Sequence, residues 1–149
     1  MRNLTIAVSS FVLLLLFTTF SNQANDTFSL TINVEKLRNS DGIVQFALYN
    51  KEGSIPDENF KKWYQIANMN IVNGSSTVEF HNIPAGKYAI NILHDENNNG
   101  KIDKGLMLPI EGIGFSNFET IGFSNRPSFS KASFDLNMDM IITVKIIYM

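Results

Sequence analysis

The segment Phe80-His81-Asn82-Ile83-Pro84-Ala85-Gly86-Lys87-Tyr88-Ala89-Ile90 gives the clearest local indication of how this chain folds. A strand-like run ends near Ile83, a turn follows at Pro84-Ala85-Gly86, and an apolar run resumes at Tyr88. Proline fixes φ and glycine tolerates positive φ, so a Pro-x-Gly triplet between such runs marks a tight turn. The segment therefore predicts two β-strands that are joined at a sharp corner.

Alternation of apolar and polar residues continues toward the N-terminus of this segment. Residues from Phe28 to Glu35 alternate in the way that a half-buried strand requires. Residues from Ile43 to Tyr49 are apolar on both faces, which predicts an interior strand. The Asp41-Gly42 pair between these two runs has the composition of a tight turn, so we expect the two strands to form a hairpin.

The remaining strand patterns extend the same architecture to the C-terminus. Further strands are predicted at Gln65 to Val72, Thr77 to Phe80, Ala132 to Met138 and Met140 to Tyr148. The repeated pentapeptide at Ile113 to Asn117 and Ile121 to Asn125 predicts a long, ordered, glycine-rich loop that packs on the domain. Short strands separated by turn residues predict an all-β fold, a β-sandwich of about seven strands in two packed sheets.

A polar loop between Asp95 and Asp103 carries the main candidate site. Oxygen-bearing side chains stand at alternate positions and are followed by a glycine, which matches the first nine positions of a calcium loop of the D-x-[DN]-x-[DN]-G type. Calcium binds several oxygen ligands that a tightly curled backbone supplies. We predict a calcium site, and its expected ligands are Asp95, Asn97, Asn99, Asp103, the backbone carbonyl of Lys101 and, as a sixth donor, Glu111.

Three further positions define how this loop differs from an EF-hand. Gly100 at position six permits the sharp turn, and Ile102 at position eight is expected to point inward and anchor the loop. Position twelve is Leu106, where an EF-hand has a bidentate glutamate, and no pair of amphipathic helices flanks the loop. The alternative is a metal-free turn, because Asn, Asp and Gly also satisfy their own backbone in tight loops.

The N-terminal residues 1–24 are expected to be a secretory signal peptide. Arg2 is followed by an apolar run from Ile6 to Phe20 and then by small and polar residues. Residues 25–149 are expected to form a single β-sandwich domain that is secreted or periplasmic, with no stable membrane insertion after cleavage. No cysteine follows the apolar run, which excludes attachment as a lipoprotein.

Composition excludes several classes of partner. Without residues 1–24 the chain has eleven basic and fourteen acidic side chains, so its net charge changes from −2 to −3. It has no basic patch interleaved with aromatic residues, so nucleic acid is not an expected partner. It has no cysteine, and its imidazoles are His81 and His94, which disfavours zinc. A bound cation is one way for an exported domain without disulfides to gain stability.

Three functions are compatible with these residues. The first is a non-catalytic binding or structural module, stabilised by calcium, whose partner is an unidentified protein or a glycan. The second is a carbohydrate-binding module that uses Trp63 and Tyr64, although the same aromatic residues suit a plug at one end of a sandwich. The third is a hydrolase in which His94, Asp95 and Glu111 act as acid and base. No serine or cysteine lies in a nucleophile motif, and we expect that the protein is not an enzyme.

Several segments together resemble a bacterial family of exported proteins, catalogued as domain of unknown function 2141. They are Ile83 to Ala89, His94 to Asp103, Glu111 to Asn117, and Pro127-Ser128-Phe129 before an Ala-x-Phe strand at Ala132. The family usually has a glycine-proline pair where this chain has Asn125-Arg126. The Pro-x-Gly corner is also similar to that of transthyretin-like (prealbumin-like) and carboxypeptidase-regulatory-like sandwiches. That resemblance implies that Tyr88 to Leu93 is a central strand ending at the cation loop.

Overall fold

The computed structural model describes residues 26–149, and the predicted signal peptide at residues 1–24 lies outside them. The described chain forms eight strands and one short helix. They are β1 (Thr27–Val34), β2 (Ile43–Tyr49), β3 (Gln65–Met69), β4 (Ser76–Pro84), β5 (Gly86–Asp95), β6 (Gly112–Phe115), α1 (Phe129–Ala132), β7 (Phe134–Leu136) and β8 (Met140–Thr143).

These strands form two packed sheets. One sheet has the order β4-β1-β8, with β1 and β8 parallel. The other has the order β3-β2-β5-β6, and β7 pairs with the start of β5. The predicted all-β sandwich is confirmed, with eight strands where about seven were expected. Its transthyretin-like type stays a prediction.

The main core lies between the two sheets and explains the alternating pattern of β1. Its buried members include Leu30, Ile32 and Val34 from β1, which face the five-stranded sheet. They meet apolar side chains from β2, β5 and the C-terminal segment, where Val144 and Ile146 are buried. Burying side chains of this size stabilises the fold by roughly 1.5–3 kcal/mol each.

A second apolar cluster covers the other face of the five-stranded sheet. Alternate residues of β2 and β5, such as Ala47, Tyr49 and Leu93, pack there against side chains from the loops that follow β2 and β6. The loop after β2 contributes Ile55, and the helix α1 contributes Phe129. Because both of its faces are covered, β2 can be apolar at nearly every position, and its predicted interior location is confirmed.

The predicted hairpin between the first two strands is wrong. The strand β1 pairs with β4 and β8, while β2 pairs with β3 and β5 in the other sheet. The chain between them crosses from one sheet to the other, and Gly42 lies against the backbone of Asp95 at the start of the β2–β5 ladder. Gly42 therefore allows a close approach to the backbone of β5, and the Asp41-Gly42 pair does not form a hairpin turn.

The Pro84-Ala85-Gly86 corner also connects the two sheets. It ends β4 in one sheet and starts β5 in the other, and the hydroxyl of Tyr88 donates to the carbonyl of Pro84 at 2.9 Å. The strand β5 pairs with β2 along its whole inner length and with β6 on its other side. The prediction that Tyr88 to Leu93 is a central strand is confirmed, and this strand leads directly into the polar loop.

The C-terminal segment closes one edge of the sandwich. After β8, the amide of Val144 donates to Asn33 of β1 at 2.9 Å, and Ile147 exchanges two backbone hydrogen bonds with Ile113 of β6. A Cβ atom at Gly112 would lie 2.4 Å from the ring of Tyr148, so β6 can receive this segment only because glycine is there. The C-terminus therefore joins the edges of both sheets.

The glycine-rich repeat does not form one loop. In the first copy, the residues from Ile113 to Phe115 lie in β6 and are buried, whereas the second copy is an exposed loop in which Phe123 faces solvent. The prediction of a single packed loop is therefore wrong for the first copy.

Among residues 26–149, no helix is long and apolar enough to cross a membrane.

Candidate metal centre

The end of β5 places Asp95 at the base of the polar loop. Asp95 is buried, pairs with Ile43 of β2, and directs its carboxylate into the loop. Its Oδ1 accepts a hydrogen bond from the amide of Asn99 at 3.0 Å, and its Oδ2 accepts one from the amide of Gly100 at 2.8 Å. The positive φ of Gly100, +75°, lets the chain turn back onto the carboxylate. The predicted loop position one is thus the residue around which the loop curls.

The structure brings together the side chains predicted at positions three, five and nine. The amide nitrogens of Asn97 and Asn99 donate to Oδ2 of Asp103 at 2.7 and 2.6 Å. Their amide oxygens accept from the backbone of Asn99 and Lys101 at 3.1 and 3.0 Å. The hydrogen bond from Asn97, then that from Asn99 and the charge of Lys101, lower the pKa of Asp103. A cation among these side chains would need both amides to turn their oxygens inward.

Glu111 is the carboxylate that completes the loop. It is buried, its Oε1 accepts from the amide of Glu96 at 3.1 Å, and its Oε2 accepts from the amide of Asp103 at 3.2 Å. Burial raises the pKa of Glu111, and the neighbouring carboxylates of Asp95 and Asp103 raise it further. A positive ion at this point would relieve both effects. Leu106, at the position of the EF-hand glutamate, is instead fully exposed.

Two contacts fix the loop to the body of the domain. The amide of Ile102 donates to the carbonyl of Glu58 at 2.9 Å, and the side chain of Ile102 packs against the second apolar cluster. The ammonium of Lys104 pairs with the carboxylate of Glu58. The predicted anchoring by Ile102 is confirmed. Lys101 itself is at the surface, with its ammonium 3.9 Å from the carboxylate of Asp103.

The acidic residues of the predicted set do not by themselves form a metal site. Within residues 26–149, no group of three or more His, Cys, Asp or Glu side chains is arranged to hold a metal ion. Asp95, Asp103 and Glu111 all contact the loop, but hydrogen bonds to its backbone occupy them at separate points. The rest of the predicted set consists of amide and carbonyl oxygens, the neutral donors that calcium accepts.

His94 is a buried, fully hydrogen-bonded residue next to the loop. Its Nε2 lies 3.0 Å from the carbonyl oxygen of Asp41, and its Nδ1 lies 2.7 Å from the hydroxyl of Tyr148. A carbonyl can only accept, so Nε2 donates to Asp41, and the hydroxyl of Tyr148 is the partner of Nδ1. The imidazole is therefore held in place inside the domain, with both of its nitrogens in use.

An ion pair stabilises the other side of the loop, and it was not predicted from the sequence. The guanidinium of Arg38 donates from Nε and Nη2 to the two carboxylate oxygens of Glu96, at 2.7 and 2.5 Å, and also to the carbonyl of Ile110. Arg38 lies 4.6 Å from the ring centre of Tyr148, and Asn39 adds a hydrogen bond to Glu96. The hydrogen bond from Arg38 is the main reason that the pKa of Glu96 is lowered. These partners are more than fifty residues apart in sequence, so only the fold reveals them.

Substituting Glu96 with glutamine should make the domain less sensitive to acid. Because the folded-state pKa of Glu96 lies below 4.5, its charge stabilises the fold fully above pH 4.5, and this contribution is lost as the pH falls through the folded-state value. We expect Glu96→Gln to cost about 1 kcal/mol at neutral pH, a modest value because Arg38 is partly exposed. Urea unfolding at several pH values measures the difference, which should shrink toward zero in acid. A difference that is constant with pH would show that the charge of Glu96 does not contribute.

Two buried amide side chains that face the second apolar cluster were also not predicted from the sequence. Asn91 has no hydrogen-bond partner for either side-chain atom, and Gln45 has none for its Nε2. Both lie between apolar neighbours, Asn91 in β5 and Gln45 in β2, where a polar side chain without a partner is unexpected. Gln45 also approaches the loop, since its Oε1 is 4.0 Å from the position of a Cβ on Gly100.

The aromatic residues proposed for carbohydrate binding lie at the surface, whereas the aromatic residue that precedes them is buried. Phe60 is buried in the second apolar cluster, whereas Trp63 and Tyr64 are partly exposed. The indole N–H of Trp63 donates to the carbonyl of Phe60 at 2.9 Å, and the ring of Tyr64 packs against that of Tyr88. The indole donor is thus already used, and a glycan would meet mainly the ring faces.

Comparison with known proteins gives one informative result. A family model described as "Uncharacterized protein conserved in bacteria (DUF2141)" matches residues 32–143, which is more than half of the chain. The matched region contains the polar loop, Glu111, the strands β2 to β8 and the end of β1. No curated protein and no solved structure gives a significant match.

Proposed function

The chain belongs to the DUF2141 family of uncharacterised bacterial proteins, and we propose that it is an exported, non-catalytic β-sandwich module whose polar loop binds calcium. Asp95, Asn97, Asn99, Asp103 and the carbonyl of Lys101 hold the ion, and Glu111 supplies a further oxygen. The ion stabilises the domain, and the domain serves a binding or structural role outside the cytoplasm. The sequence motifs predicted this family membership.

One observation carries the calcium proposal. The buried carboxylate of Glu111 contacts the backbone at both ends of the loop that curls around the buried carboxylate of Asp95. Two buried acids beside Asp103 in one loop repel one another, and a divalent cation removes that repulsion. Glu111 thereby takes the place of the acidic residue that is missing at Leu106. Turning the amides of Asn97 and Asn99 would convert a closed hydrogen-bonded loop into an oxygen-lined one.

The non-catalytic part of the proposal is supported by the state of His94. A general base must reach a proton on a substrate, directly or through one water. His94 is fully buried and both of its ring nitrogens are hydrogen-bonded, to Asp41 and Tyr148. Asp95 and Glu111 direct their carboxylates at backbone amides of the loop. These three residues are arranged for holding a loop.

A calorimetric titration of the purified protein with calcium tests the proposal. We expect one ion per chain, bound with a dissociation constant on the order of 10⁻⁴ to 10⁻³ M, as in extracellular modules. Magnesium should compete poorly, because it requires tighter octahedral geometry and loses its water reluctantly. Binding of magnesium and calcium with equal affinity, or no heat with either ion, would contradict calcium as the ligand.

A further inference from the structure

An exposed apolar hairpin tip follows the candidate calcium loop. We define the apolar tip as Leu106, Met107, Leu108 and Ile110, whose exposed fractions are 101%, 70%, 53% and 53%. Small soluble domains rarely expose several large apolar side chains in a row unless that surface binds something. The tip is therefore a candidate interaction surface that the loop chemistry does not explain.

The hairpin that carries the tip is well defined. Lys104 and Pro109 form a bridge, and the amide of Gly105 donates to the carbonyl of Leu108 at 2.8 Å. The amide of Ile110 donates to the carbonyl of Asp103 at 3.0 Å, which ties the hairpin to the last residue of the calcium loop. A tight turn with paired flanks presents its side chains outward as a convex projection. A convex projection can insert into a partner, but it has no groove in which a partner could bind.

The chemistry of the tip favours a lipid surface as its partner. From Gly105 to Ile110 there is no polar side chain, and the apolar residues are aliphatic or methionine. The residues that contribute most to binding at protein interfaces are most often Trp, Tyr and Arg, none of which is in the tip. Lys101 and Lys104 lie on the side of the hairpin that meets the domain, where their ammonium groups can remain among lipid headgroups while the aliphatic side chains enter the acyl region.

Charge at the base of the tip connects it to the calcium loop. Five carboxylates lie in the polar loop or in contact with it, from Glu58, Asp95, Glu96, Asp103 and Glu111. Three cations accompany them, from Arg38, Lys101 and Lys104, so the ionised set has a net charge of −2. An anionic bilayer repels this charge, and one bound Ca²⁺ cancels it.

We propose that the apolar tip inserts shallowly into the surface of a lipid bilayer, and that its docking to anionic bilayers requires calcium in the adjacent loop. The calcium requirement rests on the proposed function, whereas insertion of the tip into uncharged lipid does not. Such contact is peripheral and reversible, and it differs from stable membrane insertion, which is not expected after cleavage of the predicted signal peptide.

Co-sedimentation with vesicles tests both parts. The purified protein is mixed with vesicles of phosphatidylcholine, or of phosphatidylcholine with phosphatidylglycerol, in calcium or in chelator. The wild type should bind the uncharged vesicles in both conditions and the anionic vesicles in calcium. Leu106→Asp should reduce the bound fraction by at least about tenfold, because it places a charge where a large apolar side chain enters the bilayer.

Val72→Asp is the matched control. Val72 is 66% exposed beside the Asn73-Gly74 turn, so this variant adds the same charge to an exposed apolar position outside the tip. It should sediment like the wild type on uncharged vesicles. Both variants have the same N-terminus as the wild type, so the comparison isolates the tip. Equal sedimentation of Leu106→Asp and the wild type, or no sedimentation of the wild type, would overturn the proposal.

Two other outcomes separate the alternatives. If the wild type ignores vesicles but forms a dimer that Leu106→Asp disrupts, the tip binds a second copy of the chain and the lipid proposal is wrong. Calcium titrations of the same preparations distinguish the two proposals: calcium binding without vesicle binding overturns only the docking. Binding to the anionic vesicles that chelator does not change, together with no calcium heat, overturns the calcium requirement and the proposed function but leaves insertion of the tip supported.

Discussion

Replacing Gly42 with alanine is expected to destabilise the domain by roughly 3 kcal/mol, through a left-handed backbone and a direct steric overlap. Gly42 has a φ of +66°, and a Cβ atom there would lie 1.9 Å from the carbonyl oxygen of Asp95. The obstructing atoms are backbone, so rotation of a side chain cannot relieve the overlap. The strand β5 must move away from β2 at the residue that begins the calcium loop. Urea unfolding of Gly42→Ala measures the loss, and its calcium affinity should fall as well.

Gly53→Ala is a matched control for this prediction. Gly53 also has a positive φ, +75°, but no other heavy atom lies within 4 Å of the Cβ position. It should show only the conformational cost, about 1–2 kcal/mol, with unchanged calcium affinity. If both variants lose the same stability, the close contact between Gly42 and Asp95 does not limit the position of the strand.

Asp95→Ala is expected to remove the calcium-dependent part of the stability completely. At a hundredfold excess of calcium over its dissociation constant, binding to the native state alone is worth about 2.7 kcal/mol. In a domain of this size that raises the melting temperature by roughly 10 °C. The variant also loses the acceptors for the amides of Asn99 and Gly100, so it should melt lower than the wild type even in chelator. The informative quantity is therefore the shift between chelator and calcium for each protein.

Asn98→Gly controls for disturbance of the loop. Asn98 is exposed and has a φ of +60°, a conformation that glycine adopts without strain. Position four directs its side chain away from the ion, so the calcium-induced shift should equal that of the wild type. A shift that survives in Asp95→Ala, or that disappears in Asn98→Gly, would mean that the ion binds elsewhere or that the loop responds indirectly.

The fold was predictable from sequence where the local pattern is sufficient and not where pairing matters. Two-sided apolar character identified β2 as interior, and the Pro84-Ala85-Gly86 corner located the central strand β5. The partner of β1 could not be predicted, because alternation shows which face is buried but not which strand lies beside it. The Asp41-Gly42 pair indicated a hairpin, yet its glycine is required by contact with Asp95, fifty residues away.

The candidate site shows the same division. The candidate ligands from Asp95 to Asp103 and the anchor at Ile102 were identified from spacing alone, and in the structure Glu111 contacts the same loop. The hydrogen bonds that Arg38 and Tyr148 form beside the loop were not predicted, because these two residues come from opposite ends of the chain. The repeated pentapeptide misled for a related reason: identical local sequence forms a strand when β5 is its neighbour and an exposed loop when no strand is.

A crystal structure of the protein grown in calcium would show whether the polar loop binds the ion. We expect one ion within about 2.3–2.6 Å of oxygens from Asp95, Asn97, Asn99, Asp103 and the carbonyl of Lys101. Glu111 should coordinate as well, and the amides of both asparagines should have turned away from Asp103. A loop that contains no ion, with Asn97 and Asn99 still donating to Asp103, would rule out calcium binding there and identify the loop as a metal-free turn.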